Sequence, residues 1–324
     1  MRELRIGISG WTYAPWRGTF YPEGLKQKKE LHYASRQVNS IEINGTFYSL
    51  QRPGSFALWH GQTPEDFVFS IKGGRYITHM RKLREVEAPL ANFYASGVLR
   101  LNEKLGPILW QFPPNFGFDA DRIETFFSLL PRMTKDAVKL ARRREAWLKG
   151  RDWCETDADR PLRYAMEVRH ETFRDEAFVK LLRKHDVALC VADTAGKWPY
   201  MEDVTSGFVY CRLHGDKQLY VSGYTDAALE AWAGRIRSWM AGSQPPTGER
   251  LSARPPKQRQ SRDVYVYFDN DVKVRAPFDA MGLSRRLGLS VGPEREVDLS
   301  AVNEKARLHW PPARHRVRPR PGRG

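Results

Sequence analysis

Short runs in which apolar residues alternate with polar or charged ones recur along the chain, and most are followed by a stretch of helical periodicity. Alternation at period two marks a strand with one packed face, whereas apolar residues at i, i+3, i+4 and i+7 mark a helix. Strand-like runs rich in β-branched and aromatic residues fall at residues 4–9, 40–44, 67–72, 107–112, 164–169, 187–193, 208–214 and 264–269. Helical patterns fall at 26–35, 55–60, 89–100, 120–130, 175–184, 226–240 and 277–287, and 198–206 offers a short helix at best. Strand and helix alternating in this way predict an α/β protein, a single (β/α)8 TIM barrel over residues 1–288, with helices outside and reactive groups at the C-terminal strand ends. The competing doubly wound sheet would need a Gly-rich phosphate loop. Gly7-Ile-Ser-Gly10 lacks the remainder of a dinucleotide fingerprint, and no Gly-Lys-Ser/Thr occurs, so no nucleotide cofactor is expected.

The same alternation assigns side chains to the two faces of each strand. Met166 and Val168 point one way and Ala165, Glu167 and Arg169 the other, and the apolar face is the one that packs under helices. Applied strand by strand, this turns Ser9, Glu42, Asn44, Lys72, Gln111, Tyr210, Arg212, His214, Tyr265, Tyr267 and Asp269 toward the barrel axis. Asp193 stays ambiguous, because Ala188, Cys190 and Ala192 form an equally good inward set. His170 has parity opposite to Glu167 and is expected to cap the strand end.

Net charge of +15 raises nucleic acid as a partner, so its distribution decides more than its size. Residues 132–151 hold eight basic against two acidic side chains, 241–262 five against one, and 311–324 five against none, which together account for the whole excess. The first two segments are helix-to-strand connections, which open on the N-terminal face of a barrel, away from the mouth. They read as solvated basic inserts, and residues 289–324 as a basic, disordered C-terminal extension. The three cysteines, Cys154, Cys190 and Cys211, show no metal-ligand spacing and suit a reducing compartment. With no apolar leader and no run long enough to span a bilayer, a cytoplasmic protein without membrane contact is expected. Oligomeric state is not legible.

Seven ordered motifs carry a family resemblance: residues 9–22 (SGWTYAPWRGTFYP), 42–48 (EINGTFY), 77–79 (ITH), 111–114 (QFPP), 167–170 (EVRH), 212–215 (RLHG) and 265–270 (YVYFDN). Together they resemble the YecE-like family, domain of unknown function 72, over nearly everything from Arg5 to Leu287. The resemblance implies a (β/α)8 barrel in an intracellular, mainly prokaryotic protein, and no assigned reaction. The basic inserts and tail lie outside the family's common body. Residues 269–271 (DND) depart from a pattern more often written with asparagines.

An inward set with Glu42, Glu167 and Asp269 against Lys72, Arg169 and Arg212 is expensive inside a barrel, since unpaired buried charges cost several kcal/mol each. Two readings follow. In one the charges satisfy one another, Glu167 pairing Arg169 and Glu42 pairing Arg212. In the other they serve a small anionic or phosphate-bearing ligand in an enzyme of hydrolytic or lyase-like acid/base chemistry. The catalytic candidates are then Glu42 or Glu167 as base, His214 as acid or base, and Asp269. Arg169 and Arg212 act as clamps, and Ser9, Trp11, Tyr13, Asn44, Lys72, His79, Gln111, Asp193 and Tyr267 as further ligand-facing groups. Glu167, Asp193, His214 and Asp269 also resemble in layout the divalent-metal barrels of sugar isomerases and abasic-site endonucleases. Nearby arginines would repel a dication, so a metal is disfavoured. Trp11, Tyr13, Trp16, Phe20, Tyr21, Phe47 and Tyr48 form an aromatic rim that either stacks on a base or sugar or packs as a lid. The rival function is a nucleic-acid-binding barrel, non-catalytic or nuclease-like, using the rim and the basic inserts.

Overall fold

In the computed structural model, eight parallel strands close into a barrel in chain order: β1 (Leu4–Ser9), β2 (Ser40–Ile43), β3 (Val68–Lys72), β4 (Leu105–Gln111), β5 (Tyr164–Glu167), β6 (Ala188–Asp193), β7 (Phe208–Leu213) and β8 (Asp263–Phe268). Residues 3–271 and 274–290 are described, so the basic extension expected from 289 onward lies almost wholly outside them. The helices are α1 (Glu30–Ala34), α2 (Gly45–Tyr48), α3 (Pro53–Gln62), α4 (Glu87–Ala95), α5 (Ala120–Leu129), α6 (Thr134–Ala141), α7 (Glu176–Lys184), α8 (Asp226–Met240) and α9 (Arg275–Arg286). Local chemistry sets several of their starts. Asp119, Asp175 and Thr225 accept backbone N–H bonds as N-caps of α5, α7 and α8, and Pro53 opens α3. Among the described residues no helix is long and apolar enough to cross a membrane.

The outward faces of the strands, including Ile6, Ile8, Ile41, Ile43, Phe69, Ile71, Trp110, Met166 and Val266, bury against the helices in the main core. A second, separate cluster fills the barrel itself: Val68, Leu109, Ala165, Ala188, Cys190, Ala192, Phe208, Tyr210, Tyr265 and Tyr267. The parity of β6 is thereby settled in favour of Ala188, Cys190 and Ala192. Asp193 sits on the other face. Large aromatic residues reach across the interior and are anchored by hydroxyls on the far side. Tyr267 meets Ser40 at 2.7 Å, and Tyr210 meets Ser70 at 2.6 Å. At the N-terminal end of the barrel Arg163 lies 2.9 Å from Asp263 and 2.8 Å from the Tyr265 hydroxyl, which in turn donates to Glu3.

The connection from β6 to β7 carries no helix. Side chains fasten it instead: Thr205 Oγ donates to the Val187 carbonyl and accepts from Leu189 N, while the Asp203 carboxylate accepts from the N–H groups of Leu251 and Ser252. That last contact corrects the reading of 241–262 as a solvated loop, because its backbone is held on a buried carboxylate. Residues 132–160 are likewise more ordered than their charge implied. They contain α6, whose buried Thr134, Ala137, Val138 and Ala141 follow helical spacing and hide one apolar face among the basic residues. Asn92 on α4 accepts from Glu145 N at 3.0 Å and ties the segment down.

Candidate functional site

Several strands deliver inward side chains to one region near the C-terminal end of the barrel, and Arg212 stands at its centre. Register explains the convergence: Ser9 is level with Glu42 across β1 and β2, Gln111 with Glu167 across β4 and β5, and Arg212 with Tyr267 across β7 and β8. The Arg212 guanidinium is fully buried. Its Nε and Nη2 reach Glu42 at 3.1 and 2.9 Å, its Nη1 reaches Glu167 at 2.8 Å, and its Nη2 reaches Asp269 at 2.7 Å. One planar cation thus takes three carboxylates from three other strands. Burial alone would weaken its charge, but the surrounding carboxylates hold its pKa well above the usual arginine value.

The carboxylates are as fully used as the guanidinium. Glu42 also accepts from Ser9 Oγ at 2.9 Å and from the Tyr210 hydroxyl at 2.6 Å. Glu167 gives its second oxygen to Arg169, whose Nε and Nη2 approach to 2.8 and 2.7 Å. Desolvation pushes the Glu167 carboxyl upward, but Arg169 and Arg212 outweigh it and hold it well below the ordinary carboxylate range. Asp269 behaves the same way, burial being outweighed by Arg212 and His214. His214 is buried, with Nδ1 3.1 Å from Asp269, off the line of a good hydrogen bond, and Nε2 3.4 Å from Arg212 Nη1. Burial and the Arg212 charge keep this imidazole neutral against the pull of Asp269. Both pairs of the self-satisfied reading, Glu167 with Arg169 and Glu42 with Arg212, are therefore present. Glu42, Glu167 and Arg212 thus have their polar atoms engaged within the ring, whereas His214 keeps a buried Nδ1 without a hydrogen-bond partner.

Above this closed ring lies a second tier with open valences. Lys72 ends β3 and is buried to 8% exposure, yet no hydrogen bond or ion pair to its ammonium exists among the described residues. The Phe47 ring lies 4.5 Å from its Nζ. Gly73 follows it, and a Cβ there would sit 2.2 Å from the Trp110 ring, so the chain leaves β3 along a path only glycine can take. Burial and the neighbouring Arg212 pull the Lys72 pKa down to about 8, against Glu42, Asp269 and Glu167. His79, half-buried, packs its ring 5.0 Å from Phe47 and lies 2.9 Å from Thr78 Oγ. Burial, Lys72 and Arg169 bring its pKa down to about 4. Arg169 spreads its guanidinium 3.8 Å over the Trp198 ring and lies 3.4 Å from the Tyr220 hydroxyl.

The other candidates divide between the two tiers and elsewhere. Ser9 belongs to the ring, and its carbonyl accepts from the Tyr13 hydroxyl at 2.6 Å. Gln111 is buried beside it with only a 3.4 Å bond to the Phe112 carbonyl. Asn44 keeps a buried Oδ1 without a partner. Trp11 packs edge-on against Trp59 at 5.4 Å, and the two, with Tyr13 and Asn44, line a small cleft of about 230 Å³ beside the mouth. Tyr267 is level with Arg212 in register, but its side chain reaches down the barrel to place its hydroxyl on Ser40, two residues before Glu42 on β2, with no surface exposed. Asp193 turns away from the ring to accept from the Tyr224 hydroxyl at 2.9 Å. With Asp193 removed, the four-residue metal layout does not form, and no group of three or more His, Cys, Asp or Glu side chains suited to a metal occurs among the described residues. His170 caps the turn after β5 by accepting from Thr172 N.

Asp271 escaped sequence reasoning. It shares the parity of Asp269 two residues earlier, which is the signal that could have found it. Burial and the Asp269 charge push its carboxyl well above the ordinary range, and one of its oxygens has no partner. Most of the aromatic rim packs as a lid: Trp16, Phe20 and Tyr21 are buried against one another and Tyr33, while Tyr48 is exposed.

Comparison with known proteins adds the following. The profile of a family described as "Protein of unknown function DUF72" matches residues 5–300. The UPF0759 protein YecE of Escherichia coli is 30% identical over 114 residues, 35% of this chain and 39% of that one. The UPF0759 protein YunF of Bacillus subtilis is 29% identical over 118 residues, 35% of this chain and 41% of that one. The matched stretch thus spans about two fifths of the length of these curated relatives. A solved DUF72 family protein from Thermotoga maritima superposes with a TM-score of 0.66 at 22% identity, covering 89% of this chain and all of that one. One from Enterococcus faecalis gives a TM-score of 0.61 at 17% identity, covering 90% and 99%. At these identities the structural likeness speaks for the fold alone.

Proposed function

The chain belongs to the DUF72 family, whose description assigns no reaction, and from that premise we propose an enzyme of hydrolytic or lyase-like acid/base chemistry on a small anionic ligand at the C-terminal mouth. One observation carries this reading. Lys72 is a largely buried lysine whose ammonium makes no hydrogen bond or ion pair among the described residues, while Glu42, Glu167 and Asp269 direct theirs to Arg212 and Arg169. A buried cation without a direct partner is costly in the empty protein and gains one when an anion arrives. Arg169 and Lys72 both act on the His79 imidazole electrostatically, so in this reading the ligand's charge would face Lys72 and Arg169. The ring beneath fixes their positions and screens them from one another.

Proton transfer in this reading falls to the upper tier. His79 is neutral without ligand, and an anion beside it would raise its pKa toward the range where it can carry a proton. Asp271, whose carboxyl burial and the Asp269 charge push above the ordinary range, is a second candidate for proton transfer. The test is a thermal-shift screen of inorganic phosphate and small carboxylate and phosphorylated metabolites, with wild type and Lys72→Met in parallel. The reading requires at least one anion that raises the wild-type melting temperature and leaves the variant unmoved; equal shifts in both would place the anion elsewhere and sink it.

A second reading, nucleic-acid binding, is favoured by one observation at the opposite end of the barrel. Arg132, Arg163, Lys184 and Arg259 line a cleft of about 670 Å³ there, and Lys180, Arg183, Arg254 and Lys257 line the one beside it. These clefts are remote from Lys72, so the two readings are separable by variant.

A further inference from the structure

We infer that Lys72 is a covalent nucleophile, which forms an imine with a small carbonyl compound bearing an anionic group, a 2-oxo acid being the simplest case. The inference deepens the proposed function and rests on it, since the same anion site would hold the substrate's carboxylate.

The geometry distinguishes Lys72 from an ordinary anion clamp. A clamp lysine benefits from carboxylate neighbours that keep it charged and in place. Here the carboxylates of Glu42, Glu167 and Asp269 are spent on Arg212 and Arg169, and the ammonium rests instead against the Phe47 ring at 4.5 Å. The charged and titratable groups around it are Arg212 from β7, Glu42 from β2, Glu167 from β5, Asp269 after β8 and His79 from the turn after β3. Burial beside another fixed cation is one of the arrangements that make a lysine amine available as a nucleophile near neutral pH. A pKa near 8 is consistent with that availability. The backbone holds the strand end firmly: Thr46 Oγ donates to the Lys72 carbonyl at 2.7 Å, and Gly73 N donates to Leu109 at 2.8 Å.

The step balances without any co-reactant. The neutral Lys72 amine adds through its lone pair to the carbonyl carbon, giving a carbinolamine. The carbonyl oxygen then leaves as water, taking both amine protons in the net reaction, and a C=N bond remains. Neutral His79 can accept a proton on addition and return it to the departing hydroxyl. Arg169, two residues beyond Glu167, paired with it and stacked on Trp198, would face the carboxylate. An imine so placed withdraws electrons from the adjacent carbon, which is the chemistry a lyase uses to break or make a carbon–carbon or carbon–hydrogen bond.

The experiment incubates the full chain with pyruvate at a pH near the Lys72 value, about 8, adds sodium borohydride, and reads intact mass and a peptide map. Borohydride reduces the imine to a stable secondary amine. The expected result is one adduct, heavier than the chain by pyruvic acid less one oxygen, mapped to Lys72 and suppressed by excess inorganic phosphate. Lys72→Arg, which keeps the charge, should lose that adduct. Adducts confined to surface lysines, or none, overturn the imine. The melting temperature then separates the two failures: if phosphate or pyruvate still stabilises wild type but not Lys72→Met, the anion site stands without covalent chemistry, and if neither does, both fall.

Discussion

The two ends of the barrel handle charge in opposite ways. At the C-terminal end Glu42, Glu167, Asp269, Arg212 and Arg169 are buried or nearly so and each is ion-paired, and the formal charge of −1 left on these three carboxylates and two guanidiniums is offset by Lys72 above them, which touches none of them. At the N-terminal end Arg132, Arg254, Lys257 and Arg259 border two clefts, and none has an ion pair among the described residues. The difference follows from solvent. An exposed cation is stabilised by water and needs no partner, whereas a buried one without a partner loses several kcal/mol of hydration. The chain's net positive charge is therefore carried where it costs little, and the mouth is nearly balanced. Lys72 is the exception at the mouth, and this is what gives it functional weight.

The largest expected effect breaks the balanced end. Arg212→Met removes the cation shared by Glu42, Glu167 and Asp269, leaving Glu42 and Asp269 without a guanidinium and Glu167 with Arg169 alone. Loss of one partner from a buried network costs about 3–5 kcal/mol, and two stranded carboxylates place this variant toward the top of that range, read as urea unfolding at neutral pH. A loss under about 1 kcal/mol would mean that the ring does not hold the barrel together. Wild type should show the same dependence in acid. Glu167 and Asp269 have folded-state pKa values below their unfolded ones, so their contribution is complete above about pH 4 and disappears as pH falls below it. His214 adds to the slope in the same direction, since its depressed value means that protons bind the unfolded chain first. Glu167→Gln should flatten the acid limb.

Lys72→Met should move stability the other way. Replacing a buried cation that lacks a partner by an isosteric apolar chain is expected to stabilise the empty protein by about 1–3 kcal/mol at pH 7. Lys72 has a folded pKa of about 8, below its unfolded value, so the wild-type penalty is present at neutral pH and shrinks as pH rises past 8. The stabilisation by Met should therefore diminish between pH 8 and about 10. A destabilised variant at pH 7 would show that Lys72 has a compensating partner, and the contrast between the two tiers would collapse.

How much of this contrast could be read in the sequence depends on which physical rule carries each element. Strand alternation is local, so the inward side of β2, β3, β4, β7 and β8 was legible residue by residue, as was the barrel that follows from repeated strand–helix units. Asp193 was not, because β6 has small residues on one face and branched ones on the other, and a barrel can accept either inside. Height along the axis was also invisible. Tyr267 has the right parity and lies level with Arg212, but its side chain runs down the barrel to Ser40, a direction that parity does not give. Pairing was hardest of all. Six inward charges are consistent with a closed ring or an open site, and only the geometry of Arg212 assigns five to the ring and leaves Lys72 over. The order of residues 132–160 was hidden for a different reason: three apolar residues and a threonine at helical spacing sat within a run rich in basic side chains.

A smaller effect tests the layer between the two ends. Tyr267→Phe removes only the hydroxyl that meets Ser40, and Ser40 keeps its bond to the Val68 carbonyl. The expected cost is about 1 kcal/mol, seen as a shift in urea midpoint without a change in slope. Because Tyr267 lies beneath the ring, anion-dependent stabilisation should survive intact in this variant. If it vanished, Tyr267 would have to reach the ligand, and the layering would be wrong.

The smallest stability effect belongs to the exposed end, and it decides whether that end has a function at all. Lys257→Ala with Arg259→Ala removes two exposed cations that have no ion pair among the described residues, so unfolding free energy should stay within about 0.5 kcal/mol of wild type. If the basal clefts receive nucleic acid, the same variant loses about two phosphate contacts, and a plot of log affinity for a single-stranded oligonucleotide against log salt becomes shallower by about two units or slightly less. The mouth offers the control. Lys72→Met should leave that salt slope unchanged, because a buried ammonium at the far end of the barrel cannot release counterions from a polyanion it does not touch. A slope altered by Lys72→Met and not by the basal pair would exchange the roles of the two ends. An unaltered slope in both would confine function to the mouth, with the basal charge serving only to keep that face hydrated.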